Sequence, residues 1–142
     1  MTDAPKSIVD DARTAAAWIA EALASSGYKA DFSIASLKEV DRFFREHAKK
    51  GKAKARGLLA QDLGAKLFAL GAYVGEVIRR EAGGEWHGDD SDPRAEINIE
   101  LHLPGGATIW PVQRVMNLFR NGPEDSVWVY GIVLSEPKAG TH

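Results

Sequence analysis

The sequence predicts an α+β fold, and three observations predict it. Apolar residues recur at steps of three and four through much of residues 7–81, the spacing of a buried helical face. Beyond Gly83-Gly84 the rhythm becomes strict alternation, the signature of a half-buried strand. Pro111 then opens a further segment with helical spacing. Helices first and strands afterwards give N-terminal helices packed on one face of a small antiparallel sheet, followed by one or two short C-terminal helices.

The first helix is predicted over residues 7–25. Ile8, Ala12, Ala15, Ile19, Ala22 and Leu23 form its buried face, and Ser25-Ser26-Gly27 ends it, with Gly27 suited to a left-handed cap. The second is predicted over 34–50, where two start signals overlap in DFSIASLKEV. Ser36 and Glu39 have the spacing of a capping box, while Ser33, with Phe32 and Leu37, has that of a cap plus hydrophobic staple. Leu37, Val40, Phe44 and either His47 or Ala48 face inward, and the helix is expected to fray into KKGKAKARG.

The third helix, over 58–81, carries Leu63, Leu67, Leu70, Val74, Val77 and Ile78. It also carries Gly64, Gly71 and Gly75, spaced seven and four apart and so on one side. Each glycine inside a helix costs about 1 kcal/mol relative to alanine. Three of them predict that another segment lies directly against the backbone along that seam. Gly-xxx-Gly spacing also occurs in membrane dimers, but Asp62, Lys66 and Glu76 exclude that reading here.

Strands are expected at 85–88, 95–103 and 107–110. In the long one, Ile97, Ile99, Leu101 and Leu103 point one way and Glu96, Asn98, Glu100 and His102 the other. Pro104-Gly105-Gly106 makes the turn to the return strand. Val112, Val115, Met116 and Phe119 then form one face of a short helix closed by Asn121-Gly122. Residues 124–134 pull in two directions: Pro123-Glu124-Asp125 resembles a helix start, whereas VWVYGIVL has strand composition. A helix is favoured. One domain is expected over 1–142, with residues 1–6 and 136–142 as disordered tails.

A chain of 142 residues buries roughly two-thirds of its unfolded surface and needs no metal or disulfide to hold it. A net charge of −2 argues against a surface wholly built for nucleic acid. The absence of cysteine excludes disulfides, thiolate metal sites and thiol nucleophiles. No run approaches the ~18 apolar residues of a membrane span. Asp10, Asp11, Arg13 and Glu21 interrupt the N-terminal segment in a way a signal peptide does not. A soluble cytoplasmic protein with no cofactor and no membrane partner is expected.

Four features bear on chemistry. Glu76 lies within the apolar helix, where a carboxylate is either raised in pKa and useful as an acid or base, or paired with Arg79 or Arg80. Were a pocket present between this helix and the hairpin, Tyr73, Glu76, Arg80 and Trp86 would border it. The histidines at 47, 87, 102 and 142 form no metal motif, and no metal is assigned. His102 shares a strand face with Glu100, Asn98 and Glu96, a carboxylate–imidazole site if that face lines a cleft and a solvated surface otherwise. Asp89, Asp90 and Asp92 lack the register of a calcium loop and read as a polar turn. Lys49, Lys50, Lys52, Lys54 and Arg56, with Arg45 just before them, are the strongest charge feature. They suit an electrostatic partner-binding surface, a phosphate backbone, or simply a solvated helix end; aromatic residues for base stacking are missing from the tract. There is no phosphate-binding glycine loop and no nucleophile elbow, and no catalytic residue is assigned.

The order LGAYVGEVIRREAGGEW, INIELHLPGGATIWP, VQRVMNLFRNGPEDSV resembles a group of small uncharacterised bacterial proteins. In that group a Gly-x-Tyr-x-Gly-Glu helix precedes Gly-Gly-x-Trp, a proline-led helix and an Arg-Asn-Gly turn. The likeness covers most of residues 15–135, with ADFSIASLKEVDRFF also fitting. It implies a bacterial, cytoplasmic, single-domain protein and transfers no reaction. The leading expectation is a non-catalytic module that binds another protein, in one version an immunity- or antitoxin-like partner of a toxin. Its rivals are a small-ligand protein or enzyme with a pocket around Glu76, and a nucleic-acid binder acting through residues 45–56.

Overall fold

The computed structural model describes residues 7–135, so the expected tails at 1–6 and 136–142 lie outside the described residues. Helix α1 (Ile8–Ser25) begins where the Ser7 side chain accepts the Asp10 N–H, and Asp90 Oδ1 accepts the Ile8 N–H at 2.7 Å. The acidic loop thus serves partly as a cap on α1, where negative charge is favoured. A 3₁₀ turn (Ile34–Ser36) precedes α2 (Leu37–His47). Of the two start signals, the Ser33 cap forms, its Oγ accepting the Ser36 N–H at 3.2 Å. The capping box does not: Ser36 Oγ bonds to Tyr73, and Glu39 turns to Arg42 and the Lys29 N–H.

Helix α2 stops at His47, three residues short of the expected end. The chain continues as a hairpin of β1 (Ala48–Lys49) and β2 (Lys52–Ala53). Lys50 and Gly51 between them both have positive φ, +45° and +81°, the pattern of a type I′ turn. The expected fraying is therefore replaced by a formed turn.

Helix α3 (Leu63–Ala82) starts after Asp62, five residues later than predicted, and is buried without interruption from Leu67 to Ile78. It packs chiefly against α1 on one side and α5 (Pro111–Asn121) on another. A Cβ at Gly71 would lie 2.5 Å from Val112 Cα, and one at Gly75 would lie 2.5 Å from Trp86 Cζ2 and 3.1 Å from Pro111 Cγ. The close approach predicted for the glycine seam is present at these two positions. Gly64 is a correction: it is exposed at the helix start, with nothing within 4 Å of where its Cβ would be.

The sheet is antiparallel in the order β3 (Glu85–His87), β4 (Glu100–His102), β5 (Thr108–Ile109). The long strand expected at 95–103 is shorter than predicted because Ala95–Asn98 forms a helical turn, α4. Asp92 makes that turn: Oδ1 accepts the Arg94 N–H and Oδ2 accepts Asn98 Nδ2, while its carbonyl accepts the Ala95 N–H. After α5 and a second 3₁₀ turn (Pro123–Asp125), the ambiguous last segment is a helix, α6 (Val127–Ser135). Its first amides and the Ser126 hydroxyl donate to the Asp41 carboxylate of α2. The architecture is α+β, helices with small antiparallel sheets. Among the described residues no helix is long and apolar enough to cross a membrane.

Candidate functional site

The Glu76 neighbourhood is a structural joint. Gly75 removes the side chain that would collide with the Trp86 indole, and the ring lies across the helix there. Trp86 Nε1 donates to Glu76 Oε2 at 2.8 Å, and Arg79 donates through Nε (2.6 Å) and a terminal nitrogen (3.2 Å) to the same carboxylate. Burial alone would raise the Glu76 pKa, but these donors and the Arg79 charge outweigh it and hold the group below the ordinary glutamate value. The pairing expected with Arg79 or Arg80 is made by Arg79.

Tyr73 and Arg80 engage elsewhere. The Tyr73 hydroxyl accepts the Phe32 N–H at 3.0 Å and shares a 2.6 Å bond with Ser36 Oγ. Arg80 lies over the Phe32 ring, 3.9 Å from its centroid. Of the four residues expected to border a pocket, only Glu76 and Trp86 are bonded to each other. None of the four lines either cavity described below.

The basic tract is held in a definite shape. Gly51 N–H donates to Phe119 O (2.8 Å), hanging the hairpin turn from the C-terminal end of α5. Lys54 N–H donates to His47 O (2.9 Å), and Leu58 N–H to His47 Nδ1 (3.0 Å). That bond requires an unprotonated Nδ1, so the ring proton sits on Nε2, 3.0 Å from the Tyr28 hydroxyl, which in turn donates to Glu46. Burial is the main reason the His47 pKa is lowered, with Lys54 adding to it and Glu46 opposing. Burial and the Glu46 carboxylate push Tyr28 up to about 12. Lys49 stands directly opposite Lys52 across the hairpin, a like-charge pair that opposes its formation. Among the described residues none of the cations from Arg45 to Arg56 makes an ion pair.

Between this hairpin, the end of α2 and the end of α5 is a cleft of about 480 Å³. Phe44, Ala48, Leu118 and Phe119 give its apolar walls, and Arg45, Lys49 and Lys50 stand along it. The residues of α5 escape a reading of the sequence because some 70 positions separate them from the basic tract. The one local cue is the I′-type turn at Lys50-Gly51, which lacks the usual Asn-Gly signature.

The polar face of the main sheet does line a cleft, of about 300 Å³, bounded by His87, Asp89, Asp92, Asn98, Glu100 and His102. His102 Nε2 is 2.8 Å from Glu100 Oε1, and the His87 and His102 rings stack with centroids 3.9 Å apart. His87 was not anticipated as a member; Glu96 does not line the cleft. Among the described residues no group of three or more His, Asp or Glu side chains is placed to hold a metal ion. Compared with models of protein families, with curated proteins and with solved structures, the chain matches none.

Proposed function

We propose that the protein is a non-catalytic binding module whose partner is another protein, engaged through an acidic surface by the basic hairpin and its flanks. The observation that carries this reading is a set of cations, Arg45 to Arg56, displayed on an anchored turn without carboxylate partners among the described residues. Lys49 and Lys52 face each other at an energetic disadvantage of up to about 1 kcal/mol. An incoming carboxylate relieves that repulsion, so complex formation gains what hairpin formation loses. Complementary charge of this kind accelerates association more than it adds affinity. An immunity- or antitoxin-like role in a bacterial cytoplasm is one form such a module takes.

The enzyme reading has less support, since Arg79 and Trp86 occupy both oxygens of the Glu76 carboxylate. Nucleic acid is the remaining rival for the same cations. The test is capture of stoichiometric partners from the native cell, followed by association kinetics at increasing salt. An acidic protein partner is expected, with an on-rate that falls with salt and with Lys49→Gln/Lys52→Gln. Capture of nucleic acid alone, or of a partner indifferent to both the variant and salt, refutes the proposal.

A further inference from the structure

The cleft beside the hairpin makes the partner's chemistry more specific. Apart from the cations, its polar side chains are already engaged with protein: Asp41 accepts from Ser126 Oγ (2.6 Å), from the Val127 N–H (2.9 Å) and from the Trp128 N–H (3.3 Å), and Asn121 Nδ2 donates to Asp125 (2.7 Å). A nucleobase or sugar placed there would bring donors and acceptors needing partners, and burying them unpaired is costly. The two rings of the cleft also form no continuous stacking platform, because Phe44 is only 3% exposed and meets the half-buried Phe119 edge-on. A hydrocarbon surface makes no such demand. A volume of about 480 Å³ also falls in the range of formed binding clefts. Apolar walls with cations beside them have the anatomy of an interface hot spot, in which an anchor side chain is desolvated inside a polar ring.

We infer that this cleft receives one aromatic or branched aliphatic side chain from an acidic segment of the partner protein, with carboxylates beside that anchor meeting Arg45, Lys49 and Lys50. The inference rests on the proposal that the basic hairpin docks an acidic protein, and it adds the anchor. The two contributions separate cleanly. Charge contacts weaken with salt, whereas burial of the anchor is insensitive to it.

The experiment selects short random peptides on the full chain, with counter-selection on the triple variant Arg45→Gln/Lys49→Gln/Lys50→Asn. Asparagine is chosen at position 50 because it tolerates the positive φ there. The expected consensus is acidic with one large apolar residue. Replacing that residue by alanine in a selected peptide weakens binding at least about tenfold at every salt concentration, the loss typical of an anchor. Amide shifts on binding are expected at Ala48, Leu118, Phe119 and Gly122. Filling the cleft with Ala48→Leu is expected to mimic removal of the anchor. Because the peptide substitution leaves the protein untouched, the test survives even if that variant misfolds.

Acidic peptides that bind equally well without an anchor overturn the cleft inference and leave the docking proposal standing. Failure to enrich any acidic sequence overturns both. An oligothymidylate that binds more tightly than the best peptide and shifts the same four amides makes the occupant nucleic acid, and also overturns both.

Discussion

Substituting alanine for glycine at two positions of α3 should change stability in opposite directions. At Gly71 the added Cβ would lie 2.5 Å from Val112 Cα and 3.0 Å from Val112 N. Carbon atoms pack at about 3.5–4.0 Å, so a gap of about 1 Å must open. The obstacle is backbone and cannot rotate aside; α5 itself must move, and with it the Phe119 carbonyl that holds the hairpin turn. Overpacking costs about 1–3 kcal/mol, and an obstacle made of backbone puts this site at the upper end, about 2–3 kcal/mol. The helix-propensity gain of about 1 kcal/mol offsets part of it. A net loss of about 1–2 kcal/mol is expected, lowering the thermal midpoint by roughly 3–10 °C for a chain of this size. Gly64→Ala meets nothing within 4 Å and should be neutral or stabilising by up to about 1 kcal/mol. Urea and thermal denaturation of the two variants measure both. A Gly71→Ala protein as stable as the parent would refute the claim that α5 rests on the α3 backbone.

Three further outcomes follow from the bonding described. Glu76→Gln keeps one acceptor for Trp86 but loses the charged pair with Arg79, and should cost about 1–3 kcal/mol; unchanged stability with altered Trp86 fluorescence would show that the carboxylate is not a structural joint. Asp41→Ala removes the acceptor for Ser126 Oγ and two α6 amides and should cost about 1–2 kcal/mol or more, read as loss of α6 protection in hydrogen exchange. His47 is held neutral, its folded pKa below the unfolded value, so the unfolded chain binds more protons in that window. Its contribution is fully present above about pH 6.5 and declines as pH falls through that value toward the lowered folded one. The urea midpoint should fall more between about pH 7.5 and 5.5 in the parent than in His47→Asn, and equal falls would contradict the lowered His47 pKa.

The fold class was legible because α3 and the alternating segment each repeat one period long enough to exclude the other. Gly71 and Gly75 announced a close contact through their cost alone, though nothing local identified Val112 and Trp86 as what lies there. Gly64 was indistinguishable from them in spacing; its exposure follows from α3 starting at Leu63, a boundary set by the left-handed Asp62. The segment 95–98 alternates as a strand should, yet three hydrogen bonds accepted by Asp92 fold it into a turn of helix. At 127–135 the reverse occurs: β-branched composition gives way because Asp41, some 85 residues earlier, supplies acceptors for the first amides. The basic tract was visible as charge, whereas the cleft beside it was not, because its walls come from two distant helices.

The unbroken burial of α3 from Leu67 to Ile78 also sets how the molecule breathes. Amide protons there have no local opening route to solvent, so their deuterium uptake should proceed only through whole-molecule unfolding and report the global free energy. The two-residue strands of the hairpin, by contrast, are tied down by a few backbone bonds near the surface, so their amides should exchange well before that stiff keel opens.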